Sequence, residues 1–285
     1  MAAMKWLQCH GLVNMEGECR CRPKALTAVV SFVSLAAFCF PLRVTAGPLP
    51  SCLPHVAGTG RATKVEDNGV LVLDGHRTVK LEGLLWPAGA RDGASGSSAA
   101  QSTAPLQNLV AGHRLMLRAK EPRLDRYNRL RVQAVLDDGR WLQQEALRLG
   151  LARVSVAPDR PECARELYAA EAEARSAGVG VWSISGYRVR SPESLRWQDL
   201  GTFQIVEGKV VNAKVSSGRA YLNFGRNWRT DFTVTIAPED MKRFKASNVD
   251  PYSYAGKRVR ARGWIDRLHG FEVEAGSPAQ IEILK

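Results

Sequence analysis

The chain has 285 residues, enough for two ordinary domains, and its hydrophobic content of 45% is normal for a globular protein. Its formal net charge of +12 favours anionic partners such as nucleic acid, anionic lipid or acidic glycans. A soluble basic protein without such a partner is the alternative. No pair of cysteines or histidines after residue 46 has the spacing of zinc ligands, which argues against a zinc site built on such a pair.

Residues 1–46 have the pattern of an export signal. Three basic residues precede an apolar run at 25–42, and small residues follow that suit cleavage after Ala46. We therefore expect an exported protein, periplasmic or secreted, with an uncleaved N-terminal anchor as the alternative. Cleavage would remove five Lys/Arg and two Asp/Glu, which lowers the formal charge from +12 to +9.

The expected export has a consequence for the cysteines. Of the six in the chain, only Cys52 and Cys163 lie beyond residue 46. One cysteine pair in an exported chain indicates one disulfide. We therefore predict a Cys52–Cys163 bond, with the two Cα atoms about 4.4–6.8 Å apart.

Strand and helix patterns alternate after the linker at 47–59. Two β-rich runs turn at Asn68-Gly69 and Asp74-Gly75. The predicted elements that follow are a loop rich in Gly, Ser and Ala, a helix ending at Gly112, two strands, a helix ending at Gly150 and an alanine-rich helix ending at Gly178 or Gly180.

A polar linker at 184–200 separates this unit from a second, β-rich one at 201–285. Five predicted strands and one short helix in the second unit suit a small closed barrel of the OB type. In the run "KRVRARGW", Arg258, Arg260 and Arg262 fall on one face of a strand. Arginine mixed with aromatic residues on such a sheet is typical of single-strand binding. A solvated basic face or a docking surface for the first unit are the alternatives.

Four segments between 60 and 183 carry a resemblance to a known family. They are "GRATKVEDNGVLVLDGHRTVKLEG", "DRYNR", "DDGRWLQQEALRLGLARV" and "LYAAEAEARSAGVGVW". In this order and spacing the chain resembles the thermonuclease, or staphylococcal-nuclease-like, family. The resemblance implies an α+β fold, mainly β with helices: a five-stranded OB-type barrel with about three helices. It also implies a calcium-dependent hydrolysis of DNA and RNA phosphodiesters in active members.

The family's catalytic positions can be carried over onto this chain. In "KLEGLLWPA" the first catalytic arginine falls on Lys80, and the neighbouring metal-ligand position falls on Trp86. The calcium-binding aspartates fall on Leu85 and Gly69, and the general-base glutamate falls on Ala88. Calcium needs oxygen ligands, usually with carboxylates among them, and alanine cannot accept a proton. The resemblance therefore implies a nuclease scaffold without its metal ligands and base, and no cofactor.

The second catalytic arginine is retained as Arg129, in "DRYNR". Arg126, Tyr127 and Arg129 are accordingly candidates for phosphate binding. The alternative is a solvated turn closed by an Asp125–Arg129 ion pair.

Three functional classes remain open on the sequence. The first is a catalytically inactive exported protein that binds single-stranded nucleic acid or another polyanion. The second is an active secreted nuclease that binds calcium through a rearranged site, with Asp67, Glu82 and Asp92 as candidate ligands. The third is a structural envelope protein without a polyanion ligand.

Overall fold

The computed structural model describes residues 48–87, 98–121 and 123–284. The predicted export signal at 1–46 lies outside these residues, and so do Ala88 and Asp92. Within the described ranges, no helix is both long enough and apolar enough to cross a membrane.

Of the seven strands described before residue 200, five close into a barrel, in the order β1-β2-β3-β6-β5. Neighbouring strands are antiparallel except β3 and β6, which run parallel. The strands described before residue 200 are β1 (Val56–Val65), β2 (Leu71–Leu73), β3 (Thr78–Leu81), β4 (Leu84–Leu85), β5 (Arg114–Arg118), β6 (Leu130–Leu136) and β7 (Arg153–Val154). The remaining two, β4 and β7, pair with each other.

Three helices pack around this barrel: α1 (Ser98–Val110), α2 (Leu142–Arg148) and α3 (Ala164–Ala177). The buried amide of Gln143 ties α2 to β6, since it donates to the carbonyl oxygen of Val132 at 2.8 Å and accepts from the N–H of Ala134 at 3.0 Å. The predicted α+β architecture, a five-stranded barrel with three helices, is confirmed for this part of the chain.

The segment predicted as a linker, 184–200, contains three short 3₁₀ turns. Tyr187, Leu195 and Asp199 are buried there, each less than 5% exposed. The segment is therefore packed against its neighbours at these three points, while Trp197 is 64% exposed.

The remaining residues form two sheets. A five-stranded sheet has the order β13-β14-β11-β10-β9, and a three-stranded sheet has the order β15-β12-β8. The described strand pairings do not join these sheets into a closed barrel, so the second OB-like barrel is not confirmed. The elements are β8 (Phe203–Lys209), β9 (Asn212–Ser216), β10 (Arg219–Asn223), β11 (Thr233–Ile236), α4 (Met241–Ala246), β12 (Arg258–Trp264), β13 (Asp266–Arg267), β14 (Phe271–Glu274) and β15 (Ile281–Ile283).

A buried ion pair joins β12 to α3. Arg262 Nη1 lies 2.9 Å from Glu171 Oε2, and the two side chains are 1% and 0% exposed. The other guanidinium nitrogen, Nη2, lies 2.5 Å from Glu282 on β15. These contacts hold the three-stranded sheet against the barrel's last helix.

The predicted disulfide is present. Cys52, before β1, is bonded to Cys163, at the start of α3, and their Cα atoms are 5.2 Å apart. This distance lies inside the predicted range, and the bond encloses the whole barrel in one covalent loop.

Candidate functional site

A cleft of about 1180 Å³ lies between the barrel and the C-terminal sheets. Its barrel side includes Lys80 on β3, Leu85 on β4, Trp86, and Arg129, which directly precedes β6. Because β3 and β6 are adjacent and parallel, Lys80 and Arg129 come to the same end of the barrel. Four positions carried over from the thermonuclease family, Lys80, Leu85, Trp86 and Arg129, thus line one cleft, while Gly69 lies between lining residues without lining the cleft itself.

Trp86 fills the space beside Gly69. The indole is 8% exposed, and a Cβ atom built on Gly69 would lie 2.1 Å from its Cε2 atom. Real non-bonded carbon atoms do not approach so closely, so no residue with a side chain fits at position 69 unless Trp86 moves. Gly69 also has φ = 73°, a left-handed conformation that favours glycine.

This packing decides how well the carried-over positions fit calcium. Leu85 is half-buried in the strand pair β4–β7 and offers no oxygen ligand. Gly69 offers no side chain, and the indole of Trp86 stands where a carboxylate at 69 would project. These three residues do not fit a calcium ion, which prefers several oxygen ligands.

The candidate ligands for a rearranged metal site are not brought together. Asp67 lines the cleft. Glu82 is instead buried in a bidentate pair with Arg131, at 2.8 and 3.0 Å, on the wall of a different and smaller cavity. Asp92 lies outside the described residues. Among the described side chains, no three of the types His, Cys, Asp and Glu are grouped so that they could hold a metal ion.

Arg129 is held by Asp125. Its Nε and Nη2 atoms donate to Asp125 Oδ2 at 2.8 and 2.7 Å, and the backbone N–H groups of Tyr127 and Arg129 donate to Oδ1. Partial burial raises the pKa of Asp125, but these hydrogen bonds outweigh it and keep the pKa below its ordinary value. The ion pair considered from the sequence is therefore present, and it leaves Arg129 22% exposed.

Tyr127 projects from the same turn and is 61% exposed. The guanidinium carbons of Arg126 and Arg129 each lie 4.8 Å from the centre of its ring. Cations at this distance are attracted to the face of an aromatic ring. We call Arg126, Tyr127 and Arg129 the Arg-Tyr turn. It places two guanidinium groups around one exposed ring, and the one that lines the cleft, Arg129, is paired with Asp125.

Lys80 lines the same cleft as Arg129, but unlike Arg129 it forms no ion pair with a described residue. An ammonium group without a partner can contact a phosphate directly. It lacks the planar, two-pronged geometry of arginine, so it acts as a point charge.

The predicted arginine row on β12 has three different environments. Arg258 is 65% exposed and shares Glu207 with Arg260, which is 15% exposed. Arg262 shares their face but ends under α3, paired with Glu171. As a correction to the sequence-based interpretation, Arg262 is an interior residue: strand alternation assigns its face but not what covers that face.

The wall of the cleft opposite the barrel is acidic, and its residues were not among the site residues predicted from the sequence. The cleft's C-terminal side carries four carboxylates: Asp240, Asp266, Glu272 and Glu274. Alternation in "FEVE" places the two glutamates on one face of β14, but only the tertiary fold brings that face to the cleft that Arg129 also lines. Burial and the nearby carboxylates of Asp266 and Glu274 raise the pKa of Glu272, despite an opposing hydrogen bond from Thr235.

Comparison with known families agrees with the barrel fold. Residues 91–184 match the family model described as Staphylococcal nuclease homologue. The chain contains a staphylococcal-nuclease-like domain. The family of this domain indicates a nuclease-related function. A search of curated proteins found no match to the chain.

The family match covers only part of the candidate site in this staphylococcal-nuclease-like domain. It includes Arg129 and the Arg-Tyr turn, and it begins after Gly69, Lys80 and Leu85. These earlier residues belong to the domain by topology, since β1, β2 and β3 complete its closed barrel. Their equivalence to the family's metal and arginine positions remains a prediction from the resemblance.

Proposed function

We propose that this protein is an exported, catalytically inactive relative of the thermonucleases that binds single-stranded nucleic acid or another polyanion. The observation that carries the proposal is the packing of Trp86 on Gly69. An indole occupies the space that a metal-binding carboxylate would need, while the cationic residues Lys80 and Arg129 remain at the same cleft.

The loss of the metal ligands affects hydrolysis more than it affects the binding of a nucleic-acid strand. A metal ion in such a site stabilises charge on the phosphoryl oxygens by several kcal/mol. Neither Leu85 nor Gly69 has a carboxylate with which to hold such an ion. Phosphate binding needs only cations in reach, which the Arg-Tyr turn and Lys80 provide.

The Arg-Tyr turn is the favoured contact for a strand. An exposed ring beside two guanidinium groups supplies both a stacking surface and phosphate contacts. Arg258 and Arg260 remain candidates for an additional contact, although Glu207 partly neutralises both. Arg262 has no part in the proposal because it is buried.

Export is supported by the disulfide and by the basic charge, which suit a periplasmic or secreted protein with polyanionic partners. Sequencing the N-terminus of the mature protein would show whether the N-terminal segment is cleaved or is retained as an anchor.

An active calcium-dependent nuclease is the second candidate. The observation in its favour is Asp67, a carboxylate that lines the same cleft as Arg129. Its side chain accepts a long hydrogen bond from Thr103, at 3.5 Å. Such an enzyme would need further oxygen ligands beside Asp67, and Asp92 is the remaining candidate from the sequence. The two proposed functions differ in one measurable respect, which is whether calcium causes a bound strand to be cleaved.

Binding is tested by titrating a fluorescent single-stranded oligonucleotide at several salt concentrations, with chelator present to prevent cleavage. Each lost phosphate contact should reduce the slope of log K against log salt by about 0.7. We expect Arg126→Ala to weaken binding and flatten the slope by about this amount. Arg165→Ala, an exposed arginine on α3 away from the cleft, is the matched control for the lost charge. Equal effects of the two variants would mean that only the overall charge matters.

A further inference from the structure

A second cavity, of about 520 Å³, lies on the outer face of the five-stranded C-terminal sheet. Alternation along β10 and β11 turns Leu222 and Val234 into the core, both fully buried. The same alternation turns Tyr221, Asn223 and Thr233 outwards, where they form the cavity floor. We call this the sheet cavity.

Aromatic side chains wall the sheet cavity. Trp228, 48% exposed, meets the ring of His269 edge-on at 4.9 Å, and Phe271 lies on the same wall. The guanidinium of Arg229 lies 4.7 Å from the centre of the Trp228 ring. The wall therefore combines a large exposed ring with a cation beside it.

Polar groups on the floor can read the edge of a planar ring. Asn212 and Asn223 are directly opposite each other on β9 and β10, and Thr233 is opposite Asn223 on β11. Amide side chains both donate and accept, which is the combination that base edges present. Only Lys214 and Glu272 carry formal charge among the residues lining the cavity.

We propose that the sheet cavity takes one unpaired base of a single-stranded nucleic acid, stacked on Trp228 and Tyr221 and hydrogen-bonded by the asparagines. The proposal rests on the proposed function and assigns it a second subsite. The choice of a base over a sulfated or phosphorylated glycan follows from the lining. A near-neutral cavity with three aromatic rings gives no advantage to a ligand that is only an anion, whereas every base has a face that stacks.

The position of Glu272 connects this cavity to the cleft. Glu272 lines both, so the two concave surfaces adjoin. Because the Glu272 carboxylate repels phosphate, a strand that occupies both surfaces has to pass this junction with its phosphates turned away from Glu272. Lys214, which lines the sheet cavity, and Arg229, beside Trp228, supply cations for phosphates there.

The test compares a single-stranded oligodeoxynucleotide with one of equal length whose nucleotides are abasic, in wild-type protein and in Trp228→Ala. Stacking of one base contributes a factor of roughly 5 to 150 in affinity. We expect Trp228→Ala to lower affinity for the base-bearing oligonucleotide by a factor in this range. Its affinity for the abasic one should change less than twofold, and Trp228→Phe should retain most of the binding.

Tyr252→Ala is the matched control, because this tyrosine is 53% exposed and does not line the sheet cavity. Asn212→Ala is a second variant. Because Asn212 is exposed on the edge strand β9, its replacement should not disturb folding. This variant should also lower only the base-dependent affinity.

Two outcomes would contradict the proposal. If both oligonucleotides bind, and Trp228→Ala and Asn212→Ala leave the ratio of the two affinities unchanged, the sheet cavity is not a base site, although polyanion binding stands. If neither oligonucleotide binds wild-type protein, the proposed function and this inference both fail.

Discussion

Gly69 and Trp86 depend on each other's size. The indole can lie in the barrel wall only because position 69 carries no side chain. The dipeptide Asn68-Gly69 was predicted as a turn, and the empty ligand position at 69 followed from the family resemblance. The close packing itself could not be predicted, because Trp86 is 17 positions further along the chain and nothing in the sequence places it on a particular turn.

Gly69→Ala should therefore destabilise the protein by more than the backbone strain of a left-handed alanine alone. A left-handed alanine costs about 1–2 kcal/mol, and overpacking against Trp86 adds about 1–3 kcal/mol. Gly75→Ala is the control, since Gly75 has φ = 71° and nothing within 4 Å of a built Cβ. Denaturant unfolding of both variants isolates the contact. Equal losses of unfolding free energy in the two would refute the packing argument.

Asp125 organises the Arg-Tyr turn only while it is ionised. Its pKa is held below the ordinary value, because the hydrogen bonds from Arg129 and the backbone outweigh the effect of partial burial. The stability it contributes is therefore present above its ordinary pKa and lost as pH falls through the lowered one.

Asp125→Asn should lower the unfolding free energy by about 1–3 kcal/mol at neutral pH, because hydrogen bonds to a charged acceptor are lost. The difference from wild type should shrink towards acid pH, where Asp125 is protonated in both states. Unfolding curves at a series of pH values check this. A difference that does not change with pH would mean that the Asp125 charge has no role in the turn.

At the scale of elements, β12 illustrates what a strand pattern can predict. Alternation correctly placed Arg258, Arg260 and Arg262 on one face. Their environments differ because α3 covers only the end that carries Arg262, and contacts between elements 91 residues apart are not visible in a local pattern. The barrel and its helices were predictable because periodicity and turn residues are local signals.

Arg262→Ala should be strongly destabilising, by up to about 3–5 kcal/mol, since the buried Glu171 carboxylate keeps only the longer contact from Arg175, at 3.4 Å, and the N–H of Val154. Arg258→Ala, on the same strand but 65% exposed, should cost about 0–1 kcal/mol. Chemical denaturation of the two variants measures the contrast. Similar small losses in both would show that the Arg262–Glu171 pair does not hold β12 on α3.

At the scale of the whole molecule, the Cys52–Cys163 bond closes a loop across 111 positions that contains the barrel. In the chain-entropy model such a loop contributes up to about 4–5 kcal/mol, and often less. The Cys52→Ser/Cys163→Ser double variant should unfold at lower denaturant concentration than wild type. A reducing agent should shift wild-type protein to the same midpoint and leave the double variant unchanged. Identical midpoints in all four cases would mean that the bond adds no stability.

The molecule as a whole combines a nuclease-type barrel with a C-terminal β unit whose acidic face helps to form the cleft. The first unit could be predicted from ordered motifs. The cleft could not, because its acidic wall comes from residues 240–274 and its cationic edge from residues 80–129. The charge of +12 indicated an anionic partner but not where it would bind.

The central claim is binding without cleavage, and phosphodiester hydrolysis by the purified protein tests it most directly. Single-stranded and double-stranded DNA and RNA are incubated with protein in calcium and, separately, in chelator, and the products are quantified over time. We expect no hydrolysis above the protein-free rate in either condition, at protein concentrations that fully bind the strand. Digestion that requires calcium, stops with chelator and is abolished by Arg129→Ala would contradict the account and establish an active nuclease with a rearranged metal site.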